Sequence, residues 1–265
     1  MNIEKNKLQP TKHAYESLPL DEFGNAHYSN EENATWSYLF HRQNKLVQTR
    51  ATPEFIEGIS LLGLTDSIPQ HHQVTSKLKE LTGFGVEPVA AIIQPEHFFY
   101  LLAHKKFPAA NFIRRKEDMD YIMEPDVFHE IYGHCPLLTV KAYADYMEAF
   151  GKMALSAPDK VRRRLFRLFW FTIEFGLFKT ENNFKAYGGG ILSSKSEVIY
   201  SVEDPIAERI KLDPMRALLT PFKIDILQPV YFYIESYDEL YDLMELDLIK
   251  MATESLTMKD YPKKF

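Results

Sequence analysis

Two histidines and one glutamate carry the first chemical signal in this chain. In HEIYGH, His129 and His134 stand five residues apart, one more than the interval that places both zinc ligands of HExxH on one helix face. On an ideal helix five residues turn through about 500°, which leaves the side chains roughly 140° apart. Both reach one ion only near a helix end or a bulge, and Gly133 with Pro136 supplies the local irregularity. On their own, the two histidines read as readily as a satisfied core residue and a helix-terminal one. Glu174, inside FWFTIEFGLF, shifts that balance, because a carboxylate in an apolar segment pays several kcal/mol of desolvation unless it meets a cation or strong donors. A metal would supply the cation; Arg163, Arg167 or an exposed helix strip are the plainer alternatives. Two neutral imidazoles with one carboxylate leave adjacent coordination positions open, as Fe(II) chemistry with dioxygen requires. A closed zinc site would want a fourth ligand, and Cys135 is awkwardly placed beside His134.

The elements that must position these residues are mostly helical. Residues up to about 30 are polar, with scattered Pro, Asn and Asp, and read as an arm that packs weakly or is disordered, ahead of a catalytic domain over residues 31–265. Trp36, Leu39, Phe40 and Leu46 recur at helical spacing, as do Phe55, Ile56, Ile59 and Leu62 behind Pro53. SKLKELT continues a third helix that stops at Gly83; VEPVAAII reads as a short strand and PEHFFYLLAHK as a helix opened by Pro95. NFIRR is a brief extended piece. PDVFHEIYGH starts another helix, and residues 139–151 and 158–179 form two more, the second apolar and central. GGG at 188–190 is a flexible turn. SEVIYSVE and ILQPVYFYI carry strand-like side chains, and SYDELYDLMELDLIKMATES closes the chain as one amphipathic helix.

Bulk properties exclude several function classes. A net charge of −6 gives no electrostatic reason to bind nucleic acid or an anionic membrane. LFRLFWFTIEFGLF is interrupted by Arg167 and Glu174 and is shorter than the ~20 apolar residues that a bilayer span needs. The single cysteine excludes an internal disulfide and a cysteine-based zinc cluster, and it favours the cytoplasm, as does an N-terminus without a secretory pattern. Aromatic residues, at 14%, are abundant enough to line an interior with rings.

The segments IPQHHQVTSKLKELTGF, FIRR, EPDVFHEIYGHCPLL, SAPDK, FWFTIEFGLFK, KAYGGGILSS and LQPVYFYIES run in this order from about residue 68 to 237. In that order and spacing the chain resembles the pterin-dependent aromatic amino acid hydroxylases. The resemblance implies a mostly α-helical catalytic domain with a few short strands, and iron held by His129, His134 and Glu174. It further implies that Arg114 of FIRR holds the substrate carboxylate, a role suited to the guanidinium fork. Trp170 would flank the amino acid, Ser193 would help hold its polar end, Phe98 would stack on the pterin and Glu130 would lie beside it. Ile122 stands where animal members often have threonine, and Phe169 replaces a tyrosine common beside the tryptophan. The short, bacterial-like layout favours phenylalanine as substrate, with tryptophan hydroxylation, and more distantly a zinc-dependent hydrolase using Glu130 as base, as rival readings. Because the chain ends soon after the last shared segment, a monomer or small homo-oligomer without allosteric activation by phenylalanine is expected.

Overall fold

Ser29 opens the helical part of the chain. Its hydroxyl accepts from the Glu32 N–H while the Glu32 carboxylate accepts from the Ser29 N–H, so two otherwise orphaned donors are satisfied at the start of α1 (Asn30–Val47). The computed structural model describes residues 15–90 and 93–265. α1 buries Trp36, Leu39 and Phe40, and α2 (Pro53–Leu61), which has Pro53 at its first turn, buries Phe55 and Ile59. α3 (His71–Leu81) ends just before Gly83, whose φ of +82° is one that only glycine adopts without strain.

The expected strand at VEPVAAII is present as β1 (Gly85–Val89); Ala91 and Ile92 lie outside the described residues. β1 pairs in parallel with β2 (Lys106–Ala110), Glu87 opposite Pro108, and α4 (Pro95–Ala103) is the crossover that a parallel pair requires. α5 (Lys141–Ser156) packs on α4, and α6 (Asp159–Phe169) follows it.

The apolar segment expected as one helix over 158–179 is not continuous. α6 stops at Phe169, a wider turn covers Trp170–Glu174, and GLFK becomes β3 (Gly176–Lys179). β3 is antiparallel to β4 (Phe184–Ala186) and parallel to β6 (Val230–Ile234), which also pairs in parallel with β5 (Glu208–Lys211), in the order β4-β3-β6-β5. Between them run α7 (Gly189–Leu192), α8 (Lys195–Glu203) and α9 (Pro214–Leu219). SEVIYSVE is therefore helical, capped by Ser194, whose hydroxyl accepts from the Glu197 N–H. The closing segment divides into α10 (Asp238–Asp242), a 3₁₀ turn and α11 (Leu248–Ser255), restarted by the cap of Asp247 on the Lys250 N–H.

Part of the expected N-terminal arm, residues 1–14, lies outside the described residues. From residue 15 the arm is anchored on the core. The Tyr15 ring stacks on Phe112 at 5.0 Å, its hydroxyl donates to Asp118, and Ser17 donates to the Val89 carbonyl. Among the described residues, no helix is long and apolar enough to cross a membrane.

Candidate active site

The segment Phe128–His134 is wound as a π-helical turn, whose i→i+5 hydrogen bonds bring residues five apart onto one face. This geometry resolves the histidine spacing. His129 Nε2 and His134 Nε2 stand 3.2 Å apart, and Oε2 of Glu174 lies 3.3 Å from the second and 3.7 Å from the first. Glu174 itself closes a second turn of the same wide type, Trp170–Glu174, so both segments aim inward through backbone winding. Ligand bonds of about 2.1 Å at right or tetrahedral angles give edges of about 3.0–3.4 Å. The two edges at His134, 3.2 and 3.3 Å, fall in that range. The His129–Glu174 edge, at 3.7 Å, is about 0.3 Å longer, a spacing that a small turn of the Glu174 carboxylate brings to one divalent first-row metal. Arg167, a possible partner for Glu174, is instead bound to Asp260 at 2.9 Å. Cys135 donates to the Glu130 carbonyl and stands outside the group.

Neighbours fix the orientation of each ring. The Ser193 hydroxyl donates to the Gly189 carbonyl at 2.8 Å, so its oxygen accepts from His129 Nδ1–H at 2.9 Å and leaves Nε2 unprotonated toward Glu174. His134 packs onto Gly189, where a Cβ would lie 2.3 Å from Cε1 of the ring. The glycine run is therefore a close-packing device and not a flexible turn. Asp126, fully buried, accepts from the His129 N–H at 3.0 Å and receives a two-pronged contact from Arg114, Nε and Nη2 each at 2.8 Å.

Electrostatics follow from burial. Burial works to raise the Glu174 carboxyl, but the two histidines outweigh it and hold it below the usual carboxylate range. Burial lowers His129 to about 4, against the opposing pull of Glu174. It pushes Glu130 well above the usual range, aided by the charges of Glu174 and Asp126. Asp126 stays low because Arg114 offsets its burial.

Arg114, His129, Glu130 and Glu174 line one cavity of about 420 Å³, with Asp126 buried behind Arg114. Of the residues singled out from sequence, Phe98, Arg114, His129, Glu130, Trp170, Glu174 and Ser193 line it, while His134 is buried beneath, reaching the cluster through Nε2. Phe98 packs edge-on against Phe169 at 5.3 Å, and Trp170 lies between Phe175 and Phe222. Among the described residues, a group of ligating side chains within 4.8 Å of one another also takes in Glu130 with the two histidines; Glu174 makes the closer contact to both Nε2 atoms. Three participants had not been singled out: Asp126 as the Arg114 partner, Glu197 and Gln228. The Ser194-to-Glu197 spacing is a helix-cap signature that marks the start of α8, whereas nothing local in LQPV identifies Gln228.

Residues 5–255 match the family described as biopterin-dependent aromatic amino acid hydroxylases. The chain belongs to that family. It is 42% identical over 243 residues to the phenylalanine-4-hydroxylase of Vibrio cholerae, covering 91% of this chain and 84% of that one. The solved phenylalanine hydroxylase from Legionella pneumophila superposes with a TM-score of 0.90 at 48% identity, over 93% of this chain and 98% of that one. The Chromobacterium violaceum phenylalanine hydroxylase, solved with bound oxidized Fe(III), gives 0.87 at 37% identity over 92% and 89%. This hydroxylase is accordingly an enzyme of the oxygenase type, with a mostly helical catalytic fold.

Proposed function

We propose that this hydroxylase converts L-phenylalanine to L-tyrosine with dioxygen and a tetrahydropterin, at a single iron held by His129, His134 and Glu174 within a catalytic domain spanning residues 31–265. The observation that carries the reading is the convergence of Nε2, Nε2 and Oε2 within 3.7 Å in a cavity lined by Arg114 and Trp170. When bound, Fe(II) and the pterin together supply the activation of dioxygen. The chain contributes binding, orientation and exclusion of water. Arg114, held rigid by Asp126, presents its guanidinium to the substrate carboxylate, with Ser193 nearby for the polar end. Trp170 bounds the aromatic ring, and Phe98 with Glu130 faces the pterin. Holding reactants in this way can contribute about 7–11 kcal/mol to the barrier reduction. Cys135 is buried and unpaired, which suits a reducing compartment, and we assign the reaction to the cytoplasm.

The test is anaerobic loading with Fe(II), then air, a tetrahydropterin and each aromatic amino acid in turn, with products separated by chromatography. Tyrosine from phenylalanine, dependent on both iron and pterin, is the expected result. Hydroxytryptophan as the preferred product would reassign the substrate, and no product from any amino acid would overturn the reading. Glu174→Ala should lose bound iron and turnover together while keeping the native circular dichroism spectrum.

A further inference from the structure

The aromatic wall of the cavity is held in a way that stacking alone does not explain. Trp170 is sandwiched between Phe175, with ring centroids 4.5 Å apart, and Phe222, 4.3 Å away, at interplanar angles of 28° and 19°. Offset-stacked rings resist tilting but slide and rotate in their own plane at little cost. The polar handle of the indole is Nε1–H, which donates to Gln228 Oε1 at 3.4 Å.

Gln228 is only 1% exposed and fully engaged. Its Nε2 donates to the carbonyls of Lys223 and Ile226 at 2.7 and 2.9 Å, which fixes which end of the amide faces the indole. Its backbone N–H donates at 2.9 Å to Oε1 of Glu197, a buried carboxylate that also accepts from the Tyr231 hydroxyl. The loop 221–228 thereby closed on itself carries Ile224 and Ile226, which line the same cavity as Trp170. One side chain thus fastens two separate apolar surfaces that border the ring space, and it holds both through hydrogen bonds with little freedom.

We propose that Gln228 is a positioning residue that sets the angle of the Trp170 indole against the 221–228 loop and thereby determines which aromatic ring the cavity accepts. The proposal rests on the reading of this cavity as an aromatic amino acid site. Without the Gln228 side-chain amide the indole turns as its Oε1 partner is lost, the loop relaxes as the Nε2 donor is lost, and a bicyclic ring is admitted more readily.

The chain has two tryptophans, so a nitrogen-15 spectrum of the zinc-loaded full chain contains two indole N–H signals. The Trp36 N–H donates to the Thr65 carbonyl at 2.9 Å, away from Gln228, and reports folding. In Gln228→Leu the Trp170 signal should move upfield while that of Trp36 stays in place. With Fe(II) and pterin, the ratio of kcat/KM for phenylalanine over tryptophan should fall about tenfold, mainly through KM for phenylalanine, with KM for the pterin unchanged. In a Trp170→Phe background the same substitution should change selectivity by clearly less than in the wild type, only the share carried by the loop remaining. Should Gln228→Leu fail to fold, the wild-type Trp170 indole proton serves, since it should exchange with deuterated solvent far more slowly than a free indole. A Trp170 signal that does not move, a rapidly exchanging Trp170 proton, or an unchanged substrate ratio in a folded variant would each overturn the proposal. Absence of any hydroxylation by the wild type would defeat the functional reading instead, leaving the indole measurements standing.

Discussion

Ser193 and His129 form a one-way hydrogen bond. Because the serine proton is already committed to the Gly189 carbonyl, the serine oxygen only accepts, and the imidazole must carry its proton on Nδ1. The tautomer that exposes Nε2 for coordination is therefore built into the turn between β4 and α8. Ser193→Ala should lower metal affinity about 10- to 100-fold, read by competition with a chelator. Unchanged affinity with a raised KM for the amino acid would move Ser193 to a purely substrate-binding role.

Arg114 has a second partner that its proposed substrate role does not require. It neutralises the fully buried Asp126, which in turn caps the backbone of His129. Arg114→Ala should thus weaken amino acid binding and also destabilise the protein by about 3–5 kcal/mol, the cost of leaving a buried charge without its partner. Arg114→Ala/Asp126→Asn should recover much of that stability but not the amino acid affinity. Urea unfolding beside substrate titration separates the two effects.

Gly189→Ala should lower turnover about 100-fold without unfolding the chain. The new Cβ would sit 2.3 Å from the His134 ring, so the imidazole or α7 must move, and a displacement near 1 Å at a reacting centre costs about 100-fold. Metal content and turnover should fall together. Normal iron loading with normal activity would show that the ring has room the geometry denies it.

His71 predicts an acid limit to stability. Burial lowers its pKa from 6.5 to about 4, so on acidification the unfolded chain takes up a proton before the native one does. Stability from this group is complete above pH 6.5, is lost as pH falls, and reaches its floor below about 4. The shift corresponds to roughly 3 kcal/mol. His71→Phe should flatten that part of the stability profile measured by urea unfolding between pH 7 and 4.5, while an unchanged slope would mean that other groups carry it.

The helices α1 to α5 were legible in the sequence because apolar residues at helical spacing and punctuation by Pro53, Pro95 and Gly83 agree there. β2 was not, since Pro108 argues against a strand; it is tolerated because a two-stranded pair leaves each strand an unpaired side. SEVIYSVE misled through its β-branched side chains, which the Ser194 cap outweighs. The convergence of His129, His134 and Glu174 beside Arg114 and the cavity rings was anticipated through motif order and resemblance. Gln228 and Glu197 were not, because their roles depend on hydrogen bonds between segments 31 residues apart. The wide turns also lay beyond pattern reading: a five-residue interval announces an irregularity, but packing decides its form.

Those two turns carry a consequence for how such a centre changes over time. A π-helical turn is what a helix becomes when it takes in one additional residue while both of its ends stay anchored. Removing one residue from 130–133 would rewind the segment to ordinary pitch and restore the four-residue histidine interval of a zinc hydrolase motif. Because the wide turn already absorbs the additional residue, the stretch from His134 to Thr139 would keep the register it holds now against α7. A single-codon deletion thus stands between the five-residue and the four-residue histidine interval on this stretch of chain, with the seat of His134 on Gly189 common to both.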